Sequence, residues 1–487
     1  KNSEMWNERL YQQMFRTTRL NGTFATFTAS SNVRRGLQAV GFEVKKRKGF
    51  GKKREMLWGT KNTAVESKSQ QFPYFYQQNA EHCQEIALVG GGVASLFLAL
   101  SLLEKGKKVT LYCKDNQVAR NASGNLQGAI YPQLSDDDDR NVRFYVHAFD
   151  YALQRLNGLK QAVDFEHALT GVALYAYDEK QVKKLAKIAE ITQDDSLFQL
   201  CLAEGLSKKL GVKVPNSGAF IQEGGWLSPV QLVQNGFAWL AQKELKIVLN
   251  HEVKDPQFVN GKWQWQHQGE TFSHEVLVLA NGHNFNEFVQ AQGIPLYPVR
   301  GQVSQVPTTE KLSPLKCVIC YDGYLTPRSS KGSHCIGASH VRDNETTEFS
   351  LTEHQENLAK LQQNLTACDW TQGLDLSDNL AKVGIRAALR DRIPMVGAVP
   401  NFEAQKEQYA NLYNLLRRKQ AVEKAKNFTN LYMINGLASR GLTSAPLLGE
   451  LLASLIAGEP VPISEDIWQV LNPNRTWMRK LLKGSRV

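Results

Sequence analysis

Apolar residues change their spacing along this chain, and the changes divide it. Between Asn21 and Gly59 the pattern predicts strand "TFATFT", helix "SNVRRGLQAVG", strand "FEVKKRKGF" and strand "REMLWG", with Gly41 stopping the helix. So few elements bury too little surface to stand alone, and residues 1–60 read as the last part of an α/β domain. Residues 61–84, "KNTAVESKSQQFPYFYQQNAEHCQ", lose the periodicity and turn polar, which predicts a linker.

At Glu85 a βαβ unit opens with strand "IALVGG", helix "ASLFLALSLLEKG" and strand "KVTLYCKD". Ile86–Leu103 is nearly continuous apolar sequence, but its three glycines and the following "EKGKK" resolve it into strand, turn and helix rather than a membrane span. Strands follow in "GVALYAYD", "LKIVLNHEV", "KWQWQHQ", "HEVLVLANG" and "SHCIGASHV", interleaved with helices such as "DEKQVKKLAKIAEI". "LSPVQLVQNGFAWLAQ" carries a capping-box pattern from Ser228 to Gln231, with Pro229 at the first helical position. "NLYMINGLASRGLTSAPLLGELLASLIAG" reads as strand, glycine loop and helix. The fold class is therefore α/β, with an α+β portion.

Composition narrows the class of partner. The chain has 487 residues, 42% hydrophobic and 22% charged, which suits several globular units and excludes a largely disordered chain. Net charge is +11, and Lys45, Lys46, Arg47, Lys48, Lys52, Lys53 and Arg54 concentrate it just ahead of the βαβ unit. Clustered cations gain affinity for phosphates by releasing counterions, so this run is a candidate RNA contact as well as a candidate solvated hairpin. Seven scattered cysteines, an odd number, suggest reduced thiols and a cytoplasmic protein. Cys317 and Cys320 form a CxxC with no second pair at zinc-ribbon spacing, and "SDDDDR" reads as a solvated helix start, so no metal is expected.

The chemistry begins at "VGGGVAS". Gly90, Gly91 and Gly92 permit a tight turn and close approach of backbone to phosphate, with Ala94 and Ser95 small at the helix start. That places a pyrophosphate at a helix N-terminus and predicts a dinucleotide site. Asp115, just past the second strand, is the candidate ribose ligand. "ARNASGNLQGAIYP" offers Ser123, Gly124, Asn125, Gln127 and Gly128 as a loop able to embrace a phosphate or a flavin ring. "VLVLANG" ends a buried strand at Gly282, and "NGLASRGLTSAP" puts a glycine loop before a helix whose N-terminus would stabilise negative charge on a reduced flavin.

With these four segments in this order, residues 85–460 resemble the glycine oxidase and D-amino-acid oxidase family of FAD-dependent oxidoreductases. The resemblance implies a Rossmann-like FAD domain (about 85–135, 225–300 and 425–460) joined to an antiparallel substrate-binding sheet (about 165–225 and 300–400). It adds Val253, Gly436, Arg440, Gly441 and Thr443 to the cofactor set. It also implies a substrate carboxylate held by Arg386, in "VGIRAALRDRIPMVG", and by Arg440, with Tyr321 or Tyr324 of "CYDGYLTPR" beside it. A planar guanidinium suits that task because two parallel N–H bonds fix direction as well as charge. "VRGQ", residues 299–302, is expected to turn near the flavin.

The head extends the resemblance. "KNSEMW", "ATFTASSNVRRGLQAVGFEVKKRKGFGKKREMLWG" and "IALVGGGVAS", in this order, resemble the bacterial bifunctional family that completes 5-methylaminomethyl-2-thiouridine at the tRNA wobble position. The resemblance implies an S-adenosylmethionine-dependent, Rossmann-type methyltransferase, of which residues 1–60 are the C-terminal part, fused to the FAD unit. The FAD unit would remove the carboxymethyl group from 5-carboxymethylaminomethyluridine, releasing glyoxylate. The methyltransferase would then act on the resulting primary amine. The partner is the anticodon loop of tRNA, and a monomer is expected. An oxidase of free glycine, sarcosine or D-amino acids would use the same flavin and arginine motifs. The cationic head and the basic tail 461–487 are what such an oxidase does not need. A non-enzymatic RNA-binding module would not need the flavin segments.

Overall fold

The computed structural model describes residues 5–63, 72–135 and 140–487, so Asp136–Asp139 of "SDDDDR" lie outside the described residues. In the head, Glu55–Thr60 is the middle strand, antiparallel to both Thr23–Thr26 and Glu43–Lys48, so the two outer strands run parallel. Helices Glu8–Thr17 and Ser31–Ala39 cover the sheet around Tyr11, Val33, Leu37, Phe42 and Leu57. Lys61 leaves the sheet buried, its Nζ donating to the carbonyls of Phe15 (2.7 Å) and Thr18 (2.6 Å) at the end of the first helix.

The expected linker is only partly one. Its segment 64–71 lies outside the described residues, but 72–84 docks on the body. Tyr74 is buried, Asn474 Nδ2 donates to its carbonyl, and the Ala80 N–H reaches the Ile456 carbonyl. The polar residues that suggest a tether instead satisfy neighbouring backbone: Gln77 Oε1 accepts from Ala398 N at 2.8 Å.

Six strands form the central sheet in the order Lys246–Val248, Lys108–Tyr112, Glu85–Val89, Val276–Leu279, Asn427–Asn435, Met395–Pro400, all parallel except the last. Period-two alternation sends each strand's side chains to opposite faces. Ile86 and Leu88 meet helices Val93–Glu104 and Gly441–Ile456 on one face, while Ala87 and Val89 join a three-stranded meander, Gln257–His274, on the other. Burial on both faces explains the nearly unbroken apolar runs of these strands.

A nine-stranded sheet stands beside it, built on the long strand Tyr297–Pro307. It is mixed rather than wholly antiparallel, because Val318–Cys320 runs parallel to Val172–Tyr175. "VRGQ" is not a turn but the interior of Tyr297–Pro307, where buried Arg300 pairs with Glu353 at 2.7 Å. The capping box at Ser228 does not form either. The Gln231 side chain turns away instead, its Oε1 accepting from Glu166 N at 2.6 Å, because Gly225–Leu227 runs beside His167–Ala168 and brings that backbone within reach.

The basic tail is structural. Residues 461–487 fold into helices Glu465–Leu471 and Arg475–Leu481, which bury Trp477, Met478 and Leu481. Arg475, 1% exposed, grips both carboxylate oxygens of Asp391 at 2.9 and 3.0 Å and the carbonyls of Ile393 and Pro394. All seven cysteines are free. No helix among the described residues is long and apolar enough to cross a membrane, and no cluster of three metal-ligating side chains occurs among them.

Candidate functional site

A cavity of about 480 Å³ opens where the carboxyl ends of the parallel strands meet the nine-stranded sheet. The strand Glu85–Val89 delivers the glycine turn to its floor. Gly90 has φ +111°, and a Cβ there would come within 2.5 Å of the Ala280 carbonyl oxygen, so only glycine fits between the two central strands. A Cβ on Gly91 would come within 2.8 Å of Cys113 Sγ. Ser123 Oγ accepts from Val93 N at 3.0 Å, so the loop after the second strand is tied to the helix start.

Gly90, Gly91, Gly92, Ala94, Asp115, Ser123, Asn125, Gly128, Val253, Gly282 and Gly441 all line this one cavity. Ser95, Gly124, Gln127, Gly436 and Thr443 do not. Ser95 faces the helix core. A Cβ on Gly124 would strike the Ala119 carbonyl at 2.5 Å. Gln127 spends its amide on Pro327 and Thr326, Gly436 packs on Leu389, and Thr443 donates to the Tyr131 carbonyl. Their small size or hydrogen bonding shapes the wall from behind.

The opposite wall carries the charge. Arg386 sits on strand Ala381–Ala388, paired in register with Val299, and its guanidinium lies across the face of Gly301, where a Cβ would be 2.2 Å from Nη2. Among the described residues no hydrogen bond or ion pair ends on that guanidinium, and burial pulls its pKa down. Isolated buried charge is costly, so a cation left in this state is suited to receive an anion. Tyr324 also lines the cavity, with its hydroxyl accepting from Asn125 Nδ2 (3.1 Å) and donating to the Gln127 carbonyl (3.2 Å). Tyr321 does not line it; its ring packs into the core beneath the nine-stranded sheet. Arg440 stacks over the Tyr131 ring at 4.2 Å and donates to the Tyr131 hydroxyl at 3.3 Å, also without a carboxylate partner among the described residues.

The acids Asp115, Glu252 and Glu287 line the same cavity as these two arginines. His251, also in the lining, has its pKa lowered to about 4, first by burial and then by the neighbouring His267. Trp265 Nε1 donates to His251 Nε2 at 2.9 Å, which requires a neutral ring.

Several residues in or behind the cavity wall carry no signal that motif reading can use. Asn121 Oδ1 accepts from Ile385 N at 2.6 Å, tying the glycine-turn side to the Arg386 strand. Gly301 matters only through its cross-strand neighbour. Asn281 precedes the noted Gly282, and its Oδ1, like that of Asn125, is buried with no hydrogen-bond partner among the described residues. Those two orphaned acceptors, the glycine cradle and an unpaired guanidinium fit a large polar cofactor with N–H donors. FAD has that chemistry.

Comparison with known proteins agrees. Residues 85–455 match the family described as FAD dependent oxidoreductase, and residues 1–62 match S-adenosyl-L-methionine-dependent methyltransferase. Among solved structures, glycine oxidase from Geobacillus kaustophilus superposes with a TM-score of 0.64 at 19% identity, covering 78% of this chain and 96% of that one. Glycine oxidase from Bacillus cereus ATCC 14579 gives 0.63 at 20%, covering 77% and 98%. Both show the fold alone. The tRNA 5-methylaminomethyl-2-thiouridine biosynthesis bifunctional protein MnmC of Actinobacillus pleuropneumoniae serotype 5b (strain L20) is 73% identical over all 487 residues, which span 73% of its length. The protein of that name from Haemophilus ducreyi (strain 35000HP / ATCC 700724) is 69% identical over the same span. This chain belongs to the family of bifunctional tRNA 5-methylaminomethyl-2-thiouridine biosynthesis proteins, and its oxidoreductase unit is FAD-dependent.

Proposed function

We propose that the FAD unit performs the oxidative step of wobble-uridine modification in tRNA. It removes the carboxymethyl group from 5-carboxymethylaminomethyl-(2-thio)uridine and leaves 5-aminomethyl-(2-thio)uridine. The S-adenosylmethionine-dependent unit, to which residues 1–62 belong, then methylates that amine in the full protein. One observation carries the reading: a chain 73% identical to a protein named for this pathway holds Arg386, with no ion pair among the described residues, in the wall of its flavin-type cavity.

The bond to be broken joins the secondary amine to the methylene of –NH–CH2–COO⁻. Bound FAD supplies the two-electron acceptor for the hydride leaving that methylene. The amine then loses its proton, water adds across the resulting C=N, and C–N cleavage yields the primary amine and glyoxylate. Arg386 binds the terminal carboxylate and so fixes the methylene's direction; Tyr324, held by Asn125 and Gln127, closes the same end. Arg440, carried at the start of helix Gly441–Ile456, adds positive potential. Gly90, Gly91, Gly92, Asn125 and Asn281, which line the cavity, would hold the cofactor, and Asp115 would meet its ribose. The protein acts in the cytoplasm, on the anticodon loop.

The test is anaerobic mixing of the flavin-loaded full protein with tRNA bearing the carboxymethylaminomethyl group. Flavin absorbance should bleach with that tRNA and not with glycine, sarcosine or D-alanine. Bleaching by the free amino acids alone would make the unit a small-molecule oxidase, the activity named for the two structural neighbours.

A further inference from the structure

Apart from the cavity, the largest concentration of charge in the head is the hairpin formed by Glu43–Lys48 and Glu55–Thr60. Its cations differ in availability. Lys45 pairs with Glu43 at 2.6 Å, Lys46 with Glu55 at 2.7 Å, and Arg47 lies 3.7 Å over the Trp58 ring. Among the described residues no ion pair ends on Lys48, Lys52, Lys53 or Arg54. At the tip, between Gly49 and Gly51, Phe50 is 95% exposed.

Topology gives this tip a place. Because Glu43–Lys48 runs parallel to Thr23–Thr26, the hairpin tip projects from the carboxyl end of both strands. Open α/β sheets hold their ligands outside the carboxyl ends of their strands. An exposed aromatic ring, Phe50, and four cations with no ion pair among the described residues therefore stand on the ligand side of the methyltransferase-type sheet. A merely solvated hairpin needs the cations but not an exposed phenylalanine.

We propose that this hairpin is a single-stranded RNA contact, in which Phe50 stacks on an unpaired base while Lys48, Lys52, Lys53 and Arg54 follow the adjoining phosphates. Every base offers a π-face, so such a contact holds the nucleotides flanking the modified one without reading their sequence. The inference rests on the tRNA reading given above, and deepens it by naming where the loop is gripped.

The test uses full-length protein and a labelled anticodon stem-loop, with binding followed by fluorescence anisotropy over a series of salt concentrations. Phe50→Ala should weaken binding about tenfold, since one base–aromatic stack is worth ~1–3 kcal/mol, and Phe50→Trp should restore it. The triple change Lys52→Ser, Lys53→Ser, Arg54→Ser should flatten the log–log salt slope by about 2, at roughly 0.7 per single-strand phosphate. Melting temperature and flavin spectrum, measured alongside, should not move. If both variants bind like the parent while the parent binds and processes tRNA, the hairpin proposal is wrong and the tRNA reading stands. If the parent neither binds nor processes tRNA, both fall. Loss of self-association or of a protein partner instead of RNA would also overturn it.

Discussion

In the proposed reaction, substrate recognition narrows to one guanidinium. Arg386 lacks any protein anion among the described residues, so removing it should cost binding direction rather than stability. Arg386→Ala should lower kcat/KM for substrate tRNA on the order of a hundredfold, the worth of a buried charge-assisted hydrogen-bond pair, while the flavin spectrum stays that of the parent. Gly301→Ala should act through the same group. Gly301 is in an extended strand where alanine is otherwise acceptable, but its Cβ would lie 2.2 Å from Arg386 Nη2 and displace it. KM should rise with little change in flavin content, and the double variant should be no worse than Arg386→Ala, because both changes remove one interaction. While Arg386 came only from the family resemblance, glycine clusters were legible in sequence because turn chemistry is local. Gly301, Asn121 and the choice of Tyr324 over Tyr321 were not, since each depends on which strand lies opposite.

Elements show the same division. The βαβ unit, the buried strand Val276–Leu279 and the helix Gly441–Ile456 announce themselves by periodicity. The tail does not: its charge reads as something a small-molecule oxidase does not need, yet Arg475 is the buried clamp that fixes the segment just after the Arg386 strand. Arg475→Ala would leave the Asp391 carboxylate only the exposed Arg479, at 3.3 Å, and the Ile393 and Pro394 carbonyls without their buried donor, and should lower stability by about 3 kcal/mol in urea unfolding followed by intrinsic fluorescence. The meander Gln257–His274 is held partly by the Trp265–His251 bond, which makes it pH-sensitive. His251 titrates near 6.5 when unfolded and near 4 when folded, so the unfolded chain takes up the proton first. Stability should be complete above about pH 6.5 and fall as pH drops towards 4; a urea midpoint that falls less over this range in His251→Gln than in the parent would bear this out. An identical fall in the variant would assign the loss to other groups.

For the whole molecule, the basic head and the flavin body serve one substrate only if that substrate is RNA. Net charge of +11 was legible at once, but its use was not: part of it is paired in the hairpin, part buried at Arg475, and part exposed. Activity on tRNA should therefore fall steeply with added salt, whereas any turnover of a free amino acid should not. The most direct measurement is mass spectrometry of wobble nucleosides after full-length protein is incubated with carboxymethylaminomethyl-bearing tRNA and FAD, without S-adenosylmethionine. The expected result is aminomethyluridine with an equal amount of glyoxylate, both formed on the order of a hundredfold more slowly by Arg386→Ala. Unchanged carboxymethylaminomethyluridine, or equal conversion by the variant, would contradict the account.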